Sequence, residues 1–153
     1  MKLNNPDVLL VDDNPADILI TTKAFEEINP GVKVRAAQDG HTALEYLDRC
    51  EGFEGSPLPK LILLDLNLPG MNGLEVLENV RSRPALRSVP VIILSSSAHQ
   101  RDVEKAYRFG ANSYITKPLS WDDFREVVAG IHNFWLNLVR YPEASTSLMV
   151  EVD

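Results

Sequence analysis

Five short apolar runs alternate with longer amphipathic stretches along this chain of 153 residues. The runs fall at about 7–12, 32–37, 60–65, 90–95 and 112–116. Most are nearly continuously apolar or β-branched, as strands buried on both faces are. The second alternates more (Val32-Lys33-Val34-Arg35-Ala36-Ala37), which places it nearer a sheet edge. Between them the pattern predicts helices at about 15–28, 41–50, 73–82, 100–109 and 120–139. Pro15 suits a first helical turn. Asn29-Pro30-Gly31 stops the first helix, and Gly110 is placed to cap the fourth. Five β–α units in series imply an α/β fold, a parallel sheet with helices on both faces.

The length fits one domain. A formal net charge of -7 argues against nucleic-acid binding, which normally needs a basic stripe. Cys50 is the single cysteine, so no internal disulfide is possible, and one thiol fits a reducing compartment. No apolar stretch approaches the ~20 residues of a membrane helix. The start, Met1-Lys2-Leu3-Asn4-Asn5-Pro6, lacks a signal-peptide core, so the expected location is cytoplasmic. The expected organisation is one domain over 1–140 and a flexible tail over 141–153. The loop at 51–59 is rich in Gly and Pro. His41, His99, His132 and Cys50 show no metal-ligand spacing.

The residues that end the runs carry the chemistry. Asp12-Asp13 follow the first, Asp65 ends the third, Ser95 ends the fourth and Lys117-Pro118 follow the fifth. In open parallel sheets that edge is where ligands bind. Carboxylates gathered there repel one another unless a cation compensates, and Mg²⁺ suits an oxygen set of this kind. An Asp can attack phosphorus and form an acyl phosphate. A lysine and the metal would neutralise charge on the transferring group, and a serine hydroxyl can donate to a phosphate oxygen. Ser96 and Ser97 compete with Ser95 for that last role.

The ordered set Asp12-Asp13, Asp65, Ser95, Tyr114, Lys117-Pro118 resembles the receiver domain of two-component response regulators over roughly residues 6–139. Asp39-Gly40, Pro69-Gly70-Met71-Asn72-Gly73 and Gly110-Ala111 match it as well. The resemblance implies a flavodoxin-like, doubly wound sheet of five parallel strands in the order 2-1-3-4-5 with five helices. It implies that Asp65 accepts a phosphoryl group from a sensor histidine kinase. The Asp13 and Asp65 side chains and the Asn67 backbone carbonyl would ligate Mg²⁺, with Asp12 acting through a metal-bound water. Lys117 would pair with the aspartate and then the phosphate, and the Lys117–Pro118 peptide would be cis. Ser95 and Tyr114 would form the switch that reshapes the surface of the fourth helix, fifth strand and fifth helix. Ser95 stands where many relatives carry Thr. Asn67 and Ser97 occupy positions that tune phosphoryl lifetime, and neither is a carboxylate. No DNA-binding module follows, so the expected output is contact with a protein or phosphotransfer. Asn14-Pro15-Ala16-Asp17, the 51–59 loop and Phe134-Trp135-Leu136 are similar to the small regulators that partner bacterial phytochromes.

Two other readings use the same acidic set. A Mg²⁺-dependent aspartyl-phosphate phosphatase or phosphotransferase would often carry a second Asp where Asn67 stands, and Asn cannot serve as a general acid. A non-phosphorylated scaffold would not need the full set. Trp121, Phe124, Val128, Ile131, Trp135 and Leu138 form one stripe of the last predicted helix, which at standard rise is about 30 Å long. Its end, at Phe134, Trp135 and Leu138, is expected to pack in a homodimer. The alternative is that the tail folds back over it, through Leu148-Met149-Val150.

Overall fold

A computed structural model describes residues 7–52 and 58–142. In chain order the elements are β1 (Val8–Val11), α1 (Pro15–Ile28), β2 (Val34–Ala37), α2 (Gly40–Gly52), β3 (Leu61–Leu64) and α3 (Gly73–Arg81). A 3₁₀ turn (Pro84–Leu86), β4 (Val91–Ser95), α4 (Gln100–Arg108), β5 (Ser113–Thr116) and α5 (Trp121–Ile131) follow. The five strands form one parallel sheet in the order β2-β1-β3-β4-β5, as the resemblance implies.

Side chains alternate along each strand, so two cores form. Leu9, Val11, Ile62, Leu64, Val91 and Ile93 meet α2, α3 and Ala106 of α4 on one face. Val8, Leu10, Leu61, Leu63, Ile92 and Leu94 meet Phe25 of α1 and Phe124, Val128 and Ile131 of α5 on the other. The two edge strands depart from full burial: β2 has Arg35 and Ala36 exposed, and β5 is half-buried with Thr116 exposed.

The last helix differs from expectation. The α-helix ends at Ile131, and His132–Leu138 winds as a π-helix, with Val139 N–H donating to the Phe134 carbonyl at 2.9 Å. The wider turn rotates the stripe. Trp135 and Leu136 continue onto the core face, while Leu138 swings outward. Trp121, at the other end of the stripe, is also partly exposed. Of the three residues expected at a dimer face, Phe134 and Leu138 are exposed (50% and 62%) and Trp135 packs on its own domain. The chain then turns back, and the Tyr141 hydroxyl donates to the Trp135 carbonyl at 2.9 Å. The fold-back segment Leu148-Met149-Val150, most of the tail, and residues 53–57 of the long loop lie outside the described residues.

The loop that follows β3 is built to hold a fixed shape. Leu66 and Leu68 are buried, and Asn72 and Glu75 form a reciprocal cap on α3. Gly70 takes a positive φ of 71°. Gly73 is required for a different reason: a Cβ there would overlap the Asp65 carbonyl oxygen and lie 2.5 Å from Leu66 Cα. Backbone cannot yield as a side-chain tip can, so Gly73→Ala should cost roughly 1–3 kcal/mol. Gly130 in α5 has open space around its Cβ position, so Gly130→Ala should stabilise by about 0.5–1 kcal/mol. Urea unfolding of the two variants checks this, and equal midpoints would contradict the packing.

Candidate functional site

The register of the sheet brings the run-ending residues together. Val11 pairs with Leu64, so Asp12 and Asp65 leave neighbouring strands side by side. Asp65 N–H donates to the Val11 carbonyl at 3.0 Å, and Asp12 N–H donates to the Ala37 carbonyl at 3.0 Å. Across the sheet, Ser95 pairs with Thr116, and Lys117 N–H donates to the Ser95 carbonyl at 2.8 Å. Both carboxylate turns are held locally. Asn14 N–H donates to Asp12 Oδ1 (3.0 Å), and Asn67 N–H donates to Asp65 Oδ1 (3.1 Å).

Lys117 reaches over the ends of β4 and β3. Its Nζ donates to Asp12 Oδ2 at 2.8 Å, Asp17 Oδ2 at 2.9 Å and Asp65 Oδ2 at 3.1 Å. Asp12 and Asp65 are buried, and Asp13 is exposed. Burial pushes the Asp12 carboxyl above its usual range, against the opposing hydrogen bonds from Lys117 and Asn14. Burial also opposes the Lys117 charge, but hydrogen bonds to Asp12 and Asp17 and the charges of Asp65 and Asp12 outweigh it and raise its pKa. One ammonium therefore serves several carboxylates, and the site keeps an excess of negative charge.

That excess, and its geometry, suit a hard cation. Asp12, Asp13 and Asp65 each offer an oxygen within 4.8 Å of the others. All three donors are carboxylate oxygens, the ligand type Mg²⁺ prefers. Asp13 is exposed and makes no hydrogen bond among the described residues, so its carboxylate is available.

Ser95 is fully buried, and its hydroxyl accepts from Ser97 N–H at 3.3 Å. Of the competing serines, Ser96 is exposed and lines a cleft beside Lys117, and Ser97 Oγ donates to Asp102 of α4 at 2.6 Å. The Tyr114 hydroxyl donates to the Ser97 carbonyl at 2.8 Å, and its ring packs on the core beneath α2, α3 and α4. Lys117–Pro118 is trans: the described residues contain no cis peptide. Trans is the intrinsically favoured isomer before proline, and in this conformation Lys117 already meets all three carboxylates. Asp17 is the residue that sequence reasoning left out of the site. Its signal was position: the third residue of a helix capped by Asn14, where side chains tilt back towards the helix start.

Residues 8–129 match the family model described as the response regulator receiver domain. Among curated relatives, the probable methanogenesis regulatory protein FilR2 of Methanothrix harundinacea is 39% identical over 88% of this chain and 86% of its own. Response regulator Rcp1 of Synechocystis is 36% identical over 90% of this chain and 93% of its own. The crystal structure of Mn²⁺-bound Rcp1 superposes with a TM-score of 0.76 at 35% identity, covering 90% of this chain and 100% of that one. The phosphorylated cyanobacterial phytochrome response regulator RcpA gives a TM-score of 0.82 at 36% identity, over 91% and 99%. The Asp12, Asp13 and Asp65 cluster fits the divalent-metal site of such domains. No helix among the described residues is long and apolar enough to cross a membrane.

Mg²⁺ at about 100 times its Kd should stabilise the fold by about 2.7 kcal/mol. Asp13→Asn should lose that gain while barely changing stability without metal, since Asp13 has no hydrogen-bond partner among the described residues. Thermal unfolding with Mg²⁺ and with chelator checks this; an undiminished Mg²⁺ shift in Asp13→Asn would contradict the assignment.

Proposed function

The chain belongs to the response regulator receiver family, and from that premise we propose that it accepts a phosphoryl group on Asp65 from a sensor histidine kinase. The observation that carries this is the Asp65 carboxylate itself: buried, with one oxygen 3.1 Å from Lys117 Nζ and two further carboxylates at metal-binding spacing. An Asp65 oxygen supplies the electron pair for a new O–P bond. The P–N bond to the donor imidazole breaks, and the departing nitrogen keeps its pair.

Asp12, Asp13, Asp65 and the Asn67 carbonyl would hold Mg²⁺. The bound ion supplies charge neutralisation at the phosphoryl oxygens. Lys117 adds a second positive group, its Nζ bonded to Oδ2 of the acceptor carboxylate. Asn67 has no acidic proton to offer a leaving group, so the acceptor works stoichiometrically, and the domain is a switch rather than a turnover enzyme.

The route from Asp65 to the surface runs through three consecutive serines. In this reading the buried Ser95 hydroxyl donates to a phosphoryl oxygen and draws the Ser95-Ser96-Ser97 segment with it. Ser97 already holds Tyr114 through its carbonyl and Asp102 through its hydroxyl. A shift of this segment therefore reaches β5 and α4 together, a two-state element biased by one added charge.

The likeness to the phytochrome response regulator RcpA supports a phytochrome-type kinase, a red-light sensor, as the upstream partner. Phe134 and Leu138, exposed beside a T-shaped Phe134–Trp135 pair (ring centroids 5.0 Å apart), support a homodimer through the π-helical end.

Intact mass after incubation with a small acyl phosphate and Mg²⁺ should show a single phosphoryl adduct that Asp65→Asn lacks. The same adduct at the same rate in Asp65→Asn would sink the assignment. Leu138→Glu should weaken self-association without lowering the melting temperature appreciably, because Leu138 leaves the core. Unchanged sedimentation at matched concentration would remove that face; Trp135→Glu is the poorer probe, since it would damage the fold.

A further inference from the structure

Asp17 is the carboxylate at this site that the metal cluster does not include. An ammonium has three N–H donors and no acceptor. Here all three are taken, by Asp12, Asp17 and Asp65. Asp17 is anchored by its own helix turn: its N–H donates to Asn14 Oδ1 at 3.2 Å, and its carbonyl accepts from Thr21 Oγ1 at 2.8 Å. Its side chain is 37% exposed, against 2% for Asp12 and 9% for Asp65. It stands with Ile20, Ser96, Lys117 and Trp121 on the wall of a cleft of about 320 Å³. Asp17 thus meets the lysine from the solvent side, where the cleft would otherwise offer the ammonium a way out.

We propose that Asp17 is a positioning residue that holds the Lys117 ammonium against Asp65, and that the rate of phosphoryl acceptance depends on it. The inference rests on Asp65 being the acceptor. When an Asp65 oxygen joins phosphorus, its negative charge passes to the phosphoryl group. The N–H that faced Asp65 then turns to a phosphoryl oxygen, while the other two stay on Asp12 and Asp17. Lysine is a strongly hydrated charge on a flexible four-carbon stem. Without Asp17 one N–H faces water in the cleft, and Lys117 gains conformers that leave Asp65.

The sign of the effect separates positioning from bulk electrostatics. The site carries excess negative charge, so deleting a carboxylate should ease the approach of an anionic donor and speed the reaction. Positioning predicts the reverse. With the full chain, acetyl phosphate and saturating Mg²⁺, Asp17→Asn should label at Asp65 about tenfold more slowly than wild type. Its Mg²⁺ affinity, read by titration of tryptophan fluorescence, should be unchanged. Asp17→Glu, which keeps the charge one methylene further out, should recover part of the rate. An Asp17→Asn rate equal to or above wild type overturns the proposal. So does a Mg²⁺ Kd weakened by the same factor as the rate, because Asp17 would then act through the cation site. Absence of any Asp65 adduct in the wild type refutes the acceptor reading itself and takes this inference with it.

Discussion

One ammonium shared among three carboxylates is the constraint around which the top of this sheet is organised. Lys117 closes its contacts with Asp12, Asp17 and Asp65 within 3.1 Å. It can do so only because β1, β3, β4 and β5 lie side by side with their C-terminal ends level. A one-residue slip in any strand would turn its core residues to the opposite face and break both cores. The apolar register that fixes the fold therefore also fixes the charges. The arrangement remains unbalanced, with Asp12 pushed towards protonation by burial. A cation and then a phosphoryl group are the additions that such a site accommodates.

Rigidity is concentrated on the Asp65 side of the sheet edge and looser restraint on the Ser95 side. The turn after Asp65 is pinned by buried Leu66 and Leu68, by the Asn72–Glu75 cap and by backbone contact at Gly73. Arg81 adds a staple at the far end of α3, where its guanidinium donates to the carbonyls of Gly110, Leu86 and Val89 and to Asn112 Oδ1. The segment after β4 is different. It is held by single hydrogen bonds: Ser97 N–H donates to Ser95 Oγ, Ser97 Oγ donates to Asp102, and the Tyr114 hydroxyl donates to the Ser97 carbonyl. A few hydrogen bonds of ordinary strength can be exchanged at modest cost, whereas a packed backbone cannot.

Most of the fold was readable because five near-continuous apolar runs have few alternatives once helices separate them. The strand-end residues followed from the same pattern, since the ends of the runs are the ends of the strands. What escaped the sequence depended on geometry that periodicity does not encode. A π-helical turn changes the angle per residue, so the stripe through Ile131 reaches Trp135 but loses Leu138. The Lys117–Pro118 isomer carries only a modest trans preference, about 0.5–1 kcal/mol, so the residue pair alone does not decide it. Asp17 looked like an ordinary acidic residue in a first helical turn, and only the reach of Lys117 across two strands brings it into the site.

The central claim is that the phosphoryl group rests on Asp65. Incubating the wild-type chain with acetyl phosphate and Mg²⁺, reducing the product with borohydride and mapping the peptides by mass spectrometry locates it directly. An acyl phosphate on Asp65 would be reduced there to homoserine, and omission of Mg²⁺ should suppress it. Reduction at Asp12 or Asp13 in place of Asp65, or an adduct on a histidine, would contradict the account.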